Sequence, residues 1–100
     1  MRSKVTVYKF GATWCGPCKV LDTKFYKVSQ EFPEVTVIAL DVEQDAKLAK
    51  QHKIRSVPTV IFLDEGKEVE RLVGAVLTGP LRKAFKTLQE RLDNVTTDDQ

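Results

Sequence analysis

The stretch Phe10-Gly-Ala-Thr-Trp-Cys-Gly-Pro-Cys-Lys19 holds both cysteines of the chain, its one tryptophan and two of its five glycines. A β-rich run, Val5 to Phe10, leads into it, and an amphipathic helical pattern leads out. Two cysteines separated by two residues at a strand-to-helix junction are suited to reversible dithiol/disulfide chemistry. The attacking species in such chemistry is a thiolate, so one thiol must be made acidic. Cys15 falls at the N-terminal end of the helix, where free N–H groups and the helix dipole favour an anion. Cys18 lies one turn further on, close enough to close a small disulfide ring. Gly16 is expected to let the backbone turn tightly, Pro17 to stiffen the ring, and Trp14 to offer a flat apolar surface beside the thiol. These placements make Cys15 the exposed nucleophile and Cys18 the buried resolving thiol.

One hundred residues suffice for one domain with a modest core. A net charge of +2, from 16 basic and 14 acidic residues interspersed along the chain, leaves no basic stripe for nucleic acid and no polybasic tail for anionic lipid. No apolar run approaches the roughly 18 residues of a membrane span. Met1-Arg-Ser-Lys4 is basic, but Val5 to Phe10 carries Thr6 and Lys9 and reads as a strand, not an export signal. The expected compartment is therefore a reducing cytoplasm, where a CxxC is catalytic or metal-binding rather than a staple. In that setting the sequon Asn94-Val-Thr96 is noise.

Outward from the motif, the pattern predicts a strand at about 4–10 and a helix at about 17–31. The helix stripe is Leu21, Phe25, Val28 and Phe32, and Pro33 ends it. Val35 to Leu40 is a near-continuous apolar run, expected to be covered on both faces. Asp45 to Gln51 is a short helix with Leu48 and Ala49 inward. Thr59 to Leu63 is a buried strand, and Asp64-Glu-Gly66 turns it into a hairpin with Glu68 to Val73. Gly74-Ala75 breaks that strand. Thr78 is a candidate N-cap for a last helix striped by Leu81, Phe85, Leu88 and Leu92. The order β-α-β-α-β-β-α predicts an α/β fold, a four-stranded mixed sheet with helices on both faces. One domain, 1–93, and a polar frayed tail, 94–100, complete it.

Trp14-Cys-Gly-Pro-Cys-Lys19 resembles the signature of the thioredoxin family. Val57-Pro58-Thr59 resembles the family loop whose proline is cis and lies against the cysteines. Gly66 matches the hairpin turn, and Gly74-Ala75 the glycine that shapes the substrate groove. The resemblance spans roughly residues 4–92 and implies a thioredoxin-like fold with a redox-active Cys15–Cys18 disulfide and no bound cofactor or metal. It also implies substrate contact at Trp14, Val57, Pro58, Gly74 and Ala75. An extended substrate would pair with the Val57 backbone as an added strand.

Three departures from the family pattern stand out. Lys9 occupies the place of a buried Asp six residues before the first cysteine, and Ala39 the place of that acid's lysine partner. Lys9 is then either a buried amine that tunes Cys18, or a packed stem whose head reaches water. Only 14 residues precede Cys15, fewer than in full-length members. Gly11 and Thr23 replace a frequent Trp or small polar residue and a helix-kinking proline, which predicts a straighter helix and slightly looser packing below the site. Lys19 either supports the thiolate or is simply solvated. His52, the single histidine, is expected at the surface or partly packed, since two cysteines and one distant histidine fall short of a zinc site.

The function expected is thiol–disulfide oxidoreduction, with a role in electron transport and cell redox homeostasis. Protein disulfides are the substrates, and a thioredoxin reductase or glutathione recycles the monomeric protein. The alternatives are a binding module that clamps a partner enzyme, a glutaredoxin-like reductase recycled by glutathione, and metal delivery by the CxxC.

Overall fold

The computed structural model describes residues 4–98, with side chains to Asp93. Seven elements follow in the predicted order: β1 (Val5–Gly11), α1 (Gly16–Ser29), β2 (Thr36–Asp41), α2 (Ala46–Gln51), β3 (Thr59–Asp64), β4 (Lys67–Val73) and α3 (Thr78–Asp98). The four strands form one sheet in the order β2-β1-β3-β4. β1 runs parallel to β2 and antiparallel to β3, and β3 pairs antiparallel with β4.

Strand alternation sorts the core into two layers. On one face Val5, Val7, Val60 and Phe62 meet Leu21, Phe25 and Val28 of α1 and the Leu81, Phe85, Leu88, Leu92 stripe of α3. Phe85 sits at the centre, with ring centroids 5.7 Å from Phe25, 5.4 Å from Phe32 and 5.3 Å from Phe62. On the other face Phe10, Ile61 and Leu63 pack with Ala49 of α2, and Tyr8, Leu40, Leu48 and Ile54 seal the edge. At the hairpin both Glu65 and Gly66 have positive φ, 52° and 80°. Turns of that kind match the twist of paired strands.

Two boundaries and the place of one strand differ from the sequence pattern. The helix α1 ends at Ser29, four residues before Pro33; Phe32 reaches the core from a following turn rather than from the helix stripe. β2 is an edge strand, not one covered on both faces, and Ile38 is 40% exposed. Val37 alone of its residues packs into the first core, and Leu40 into the second, because the helices lie over the inner strands. The last helix starts at Thr78 itself and continues to Asp98, beyond the stripe that ends at Leu92. Residues 99 and 100 of the expected tail lie outside the described residues.

Candidate active site

The end of β1 hands the chain to a turn, and α1 starts directly behind it. Cys15 is the N-cap of α1, in an extended conformation, and its sulfur accepts the Cys18 N–H at 3.1 Å. That is the position at which a helix has unsatisfied donors, so the sulfur here fills the role a Ser or Asp oxygen usually takes. Cys15 and Cys18 are joined as a disulfide, with Cα atoms 5.3 Å apart. Pro17 stands in the first turn, where its missing N–H has no helical partner to lose. Gly16 does not have a left-handed φ, and a Cβ there would meet nothing within 4 Å. Its contribution is open space in front of the ring, not the tight turn its sequence position suggests. Gly11 lies under the ring, where an added Cβ would already touch the Cys18 sulfur at 3.4 Å.

Cys15 is 2% exposed, not the exposed thiol expected from the sequence. Its sulfur lies 3.7 Å from the Val57 carbonyl oxygen, a contact rather than a hydrogen bond since the disulfide carries no S–H. The loop at Val57 thus covers the sulfur from one side. The Val57–Pro58 peptide is cis. Gly74, with φ of 91°, donates its N–H to the Pro58 carbonyl at 2.8 Å, which ties Gly74-Ala75 to the same loop. Trp14 is 67% exposed and lines a shallow cleft with Ile54, Arg55, Ser56 and Val57. Of the residues singled out from sequence, Trp14, Cys15, Cys18, Val57, Pro58 and Gly74 are thus brought together around the ring and the Val57 loop, with Cys15, Cys18 and Pro58 buried.

Lys9 and Lys19 lie on the opposite side of the ring. Both line a cleft of about 370 Å³ that reaches Cys18, Asp22 and Ala39. Lys9 projects from β1 toward α1, its ammonium 2.7 Å from Asp22 Oδ1 and 5.8 and 5.4 Å from the ring centroids of Phe25 and Tyr26. The burial fits the first expectation for Lys9, a buried amine, and not the second, since the head meets a carboxylate rather than open water. Asp22 was missed from the sequence, although its place four residues after Cys18 puts both on one flank of the helix. His52 is partly packed, with its ring centroid 5.6 Å from Tyr8 and 6.3 Å from Phe10. Among the described residues no three His, Cys, Asp or Glu side chains gather as metal ligands.

An N-capping sulfur in a ring that can open, facing a cis-proline loop, is an arrangement for exchanging disulfides. Comparison with known proteins points to the same chemistry. The model of the thioredoxin family matches residues 1–87. A thioredoxin of Mycoplasmoides gallisepticum is 37% identical over 84 residues, 84% of this chain and 84% of that protein. A Thioredoxin H-type of Picea mariana is 38% identical over 72 residues, and the chain spans 58% of its length. In three dimensions the fold matches the X-ray structure of Fasciola hepatica thioredoxin with a TM-score of 0.79 and 34% identity, over 86% of this chain and 82% of that one. This chain belongs to the thioredoxin family of thiol–disulfide oxidoreductases.

Proposed function

We propose that the protein reduces disulfide bonds in other proteins by dithiol exchange, Cys15 attacking and Cys18 resolving. The observation that carries this is the Cys15 sulfur at the start of α1, held by the Cys18 N–H and set against the Val57 carbonyl. In the reduced form the same N–H and the positive end of the helix favour a Cys15 thiolate. That thiolate attacks one sulfur of the substrate disulfide. A Cys15–substrate disulfide forms, and the other substrate sulfur leaves as a thiolate that takes up a proton. Cys18, deprotonated, then attacks the Cys15 sulfur; the Cys15–Cys18 bond forms and the second substrate thiol is released. Two electrons have passed from the dithiol to the substrate. A thioredoxin reductase or glutathione returns them.

Trp14, Val57, Pro58, Gly74 and Ala75 receive the substrate chain, with the free backbone groups of Val57 pairing with it as an added strand. Opening of the Cys15–Val57 contact exposes the sulfur that the disulfide form buries. Gly16 keeps the approach clear and Pro17 holds the first turn. Lys9, with Asp22, and Lys19 tune the Cys18 side, the Lys9 charge favouring the resolving thiolate. The proposed setting is electron transport and redox homeostasis in a reducing cytoplasm, with the protein acting as a monomer on residues 1–93. No helix among the described residues is long and apolar enough to cross a membrane, which is compatible with this setting.

The test is a disulfide-reduction assay with two recycling systems, NADPH with a thioredoxin reductase and NADPH with glutathione and its reductase. Activity is expected with the first, lost in Cys15→Ser, and stalled as a covalent mixed disulfide in Cys18→Ser. Inactivity in both systems overturns the proposal. Full biological activity of the double Cys→Ser variant would instead favour a binding module.

A further inference from the structure

Beyond the thiols, the surface beside Val57 carries a second feature. The chain leaves α2 through Lys53, whose left-handed φ of 55° is held by its own N–H on Lys50 O (3.0 Å) and the Ile54 N–H on Ala49 O (2.9 Å). Ile54 turns into the second core layer, which leaves its neighbours Lys53 and Arg55 exposed. Their side chains border a cleft of about 440 Å³ with Ser56, Thr59, Arg71 and Val73. Arg71 is already committed: its guanidinium bonds both Glu68 carboxylate oxygens, at 2.8 and 2.7 Å, and the His52 carbonyl at 2.7 Å. Neither Lys53 nor Arg55 has a side-chain partner among the described residues, and the Ser56 hydroxyl makes no hydrogen bond among them. Two unspent cations and a free hydroxyl therefore face one cleft, with no uncompensated acid among its lining residues.

Arg55 and Ser56 also line the cleft against Trp14 and Val57. They form the ridge between the surface where the reacting half-cystine lies and the basic cleft. The cleft on the far side of the ring has the opposite character, with Asp22, Asp41 and Asp45 against Lys9 and Lys19. The charge across the active-site face is thus polarised, acidic toward β2 and basic toward the Val57 loop. An extended segment advances about 3.3 Å per residue. One that pairs at Val57 with its disulfide over Cys15 brings its next two or three residues to Arg55.

We infer that Lys53, Arg55 and Ser56 form a substrate subsite for a carboxylate side chain, so that the protein prefers polypeptide disulfides with Asp or Glu within three residues of the reacting cysteine. This rests on the disulfide-reductase reading above. The carboxylate would accept from the guanidinium, the ammonium and the hydroxyl without displacing an internal ion pair.

Two disulfide peptides of identical composition and net charge test it, one with an Asp pair within three residues of the half-cystine and one with the pair about ten residues away. The near peptide is expected to be reduced with a kcat/KM about three- to five-fold higher, mostly through KM, as partly exposed ion pairs allow. The ratio should fall toward one at high salt and in Lys53→Asn/Arg55→Gln, where Asn tolerates the left-handed backbone at 53. Equal kcat/KM for the two peptides, or a preference that survives in the double variant, overturns the subsite. Equal charge removes general electrostatic attraction as the cause. Reduction of the distal peptide by the wild-type protein separates failure of the subsite from failure of the dithiol chemistry.

Discussion

Lys9 and Asp22 are unequal partners. The lysine side chain is 8% exposed and the aspartate 41%. Removing the carboxylate leaves a buried ammonium against the faces of Phe25 and Tyr26 without its ion-pair partner, whereas removing the ammonium leaves an acid that can turn to water. Breaking a fully buried pair costs about 3–5 kcal/mol. With one partner this exposed the cost shrinks, and the rings recover part of it, about 0.5–1 kcal/mol. Asp22→Ala should therefore destabilise the protein by about 1–2 kcal/mol, and Lys9→Met, which fills the same volume with an apolar stem, by less than about 1 kcal/mol. Chemical denaturation of the two variants checks the order. Lys9→Met also tests the tuning role, because titration of the two thiols in the reduced protein should show Cys18 deprotonating at higher pH than in wild type. Identical titration curves would show that Lys9 acts only in packing.

At the scale of elements, the motif's neighbours were legible because their patterns are unambiguous. β3 is buried throughout except at Asp64, the hairpin turn needs the glycine at 66, and the stripe of α3 is one continuous face. The edge position of β2 was not legible. A run such as Val35-Thr-Val-Ile-Ala-Leu40 looks the same whether helices cover both its faces or lie over the strands beside it, so strand order is decided elsewhere in the chain. The pairing of Lys9 with Asp22 was hidden for a related reason, since it joins a strand to a helix 13 residues later. Phe85 gives the same lesson in the core, where one helix residue touches α1, the turn after it and β3. Phe85→Ala should thus loosen three elements at once and cost about 3–5 kcal/mol, read as a lower midpoint of denaturant unfolding with the slope unchanged. A loss under about 1 kcal/mol would mean that the surrounding rings collapse into the space.

For the whole molecule, two bidentate arginine pairs contribute to the response to acid. Arg82 of α3 bonds both carboxylate oxygens of Glu31, 51 residues away just past the end of α1, each at 2.8 Å. Arg71 holds Glu68 in the same way within β4. In each case the hydrogen bonds from the guanidinium are the main cause that keeps the glutamate below its ordinary value of 4.5, against an opposing effect of desolvation. A carboxyl with a lowered folded-state value adds stability that is present above its unfolded value and is lost as pH falls through the folded one. The melting temperature should therefore vary little with these groups between pH 7 and 5 and fall below about pH 4.5, as both glutamates take up protons. Glu31→Gln/Glu68→Gln should start from a slightly lower melting temperature at pH 7 and lose less of it on acidification, so that the two curves converge at low pH. High salt should narrow the gap at pH 7, because the Arg82–Glu31 pair is exposed and the Arg71–Glu68 pair partly so, which leaves both open to screening. Parallel curves for wild type and the double variant down to pH 3 would assign the acid response to other carboxylates.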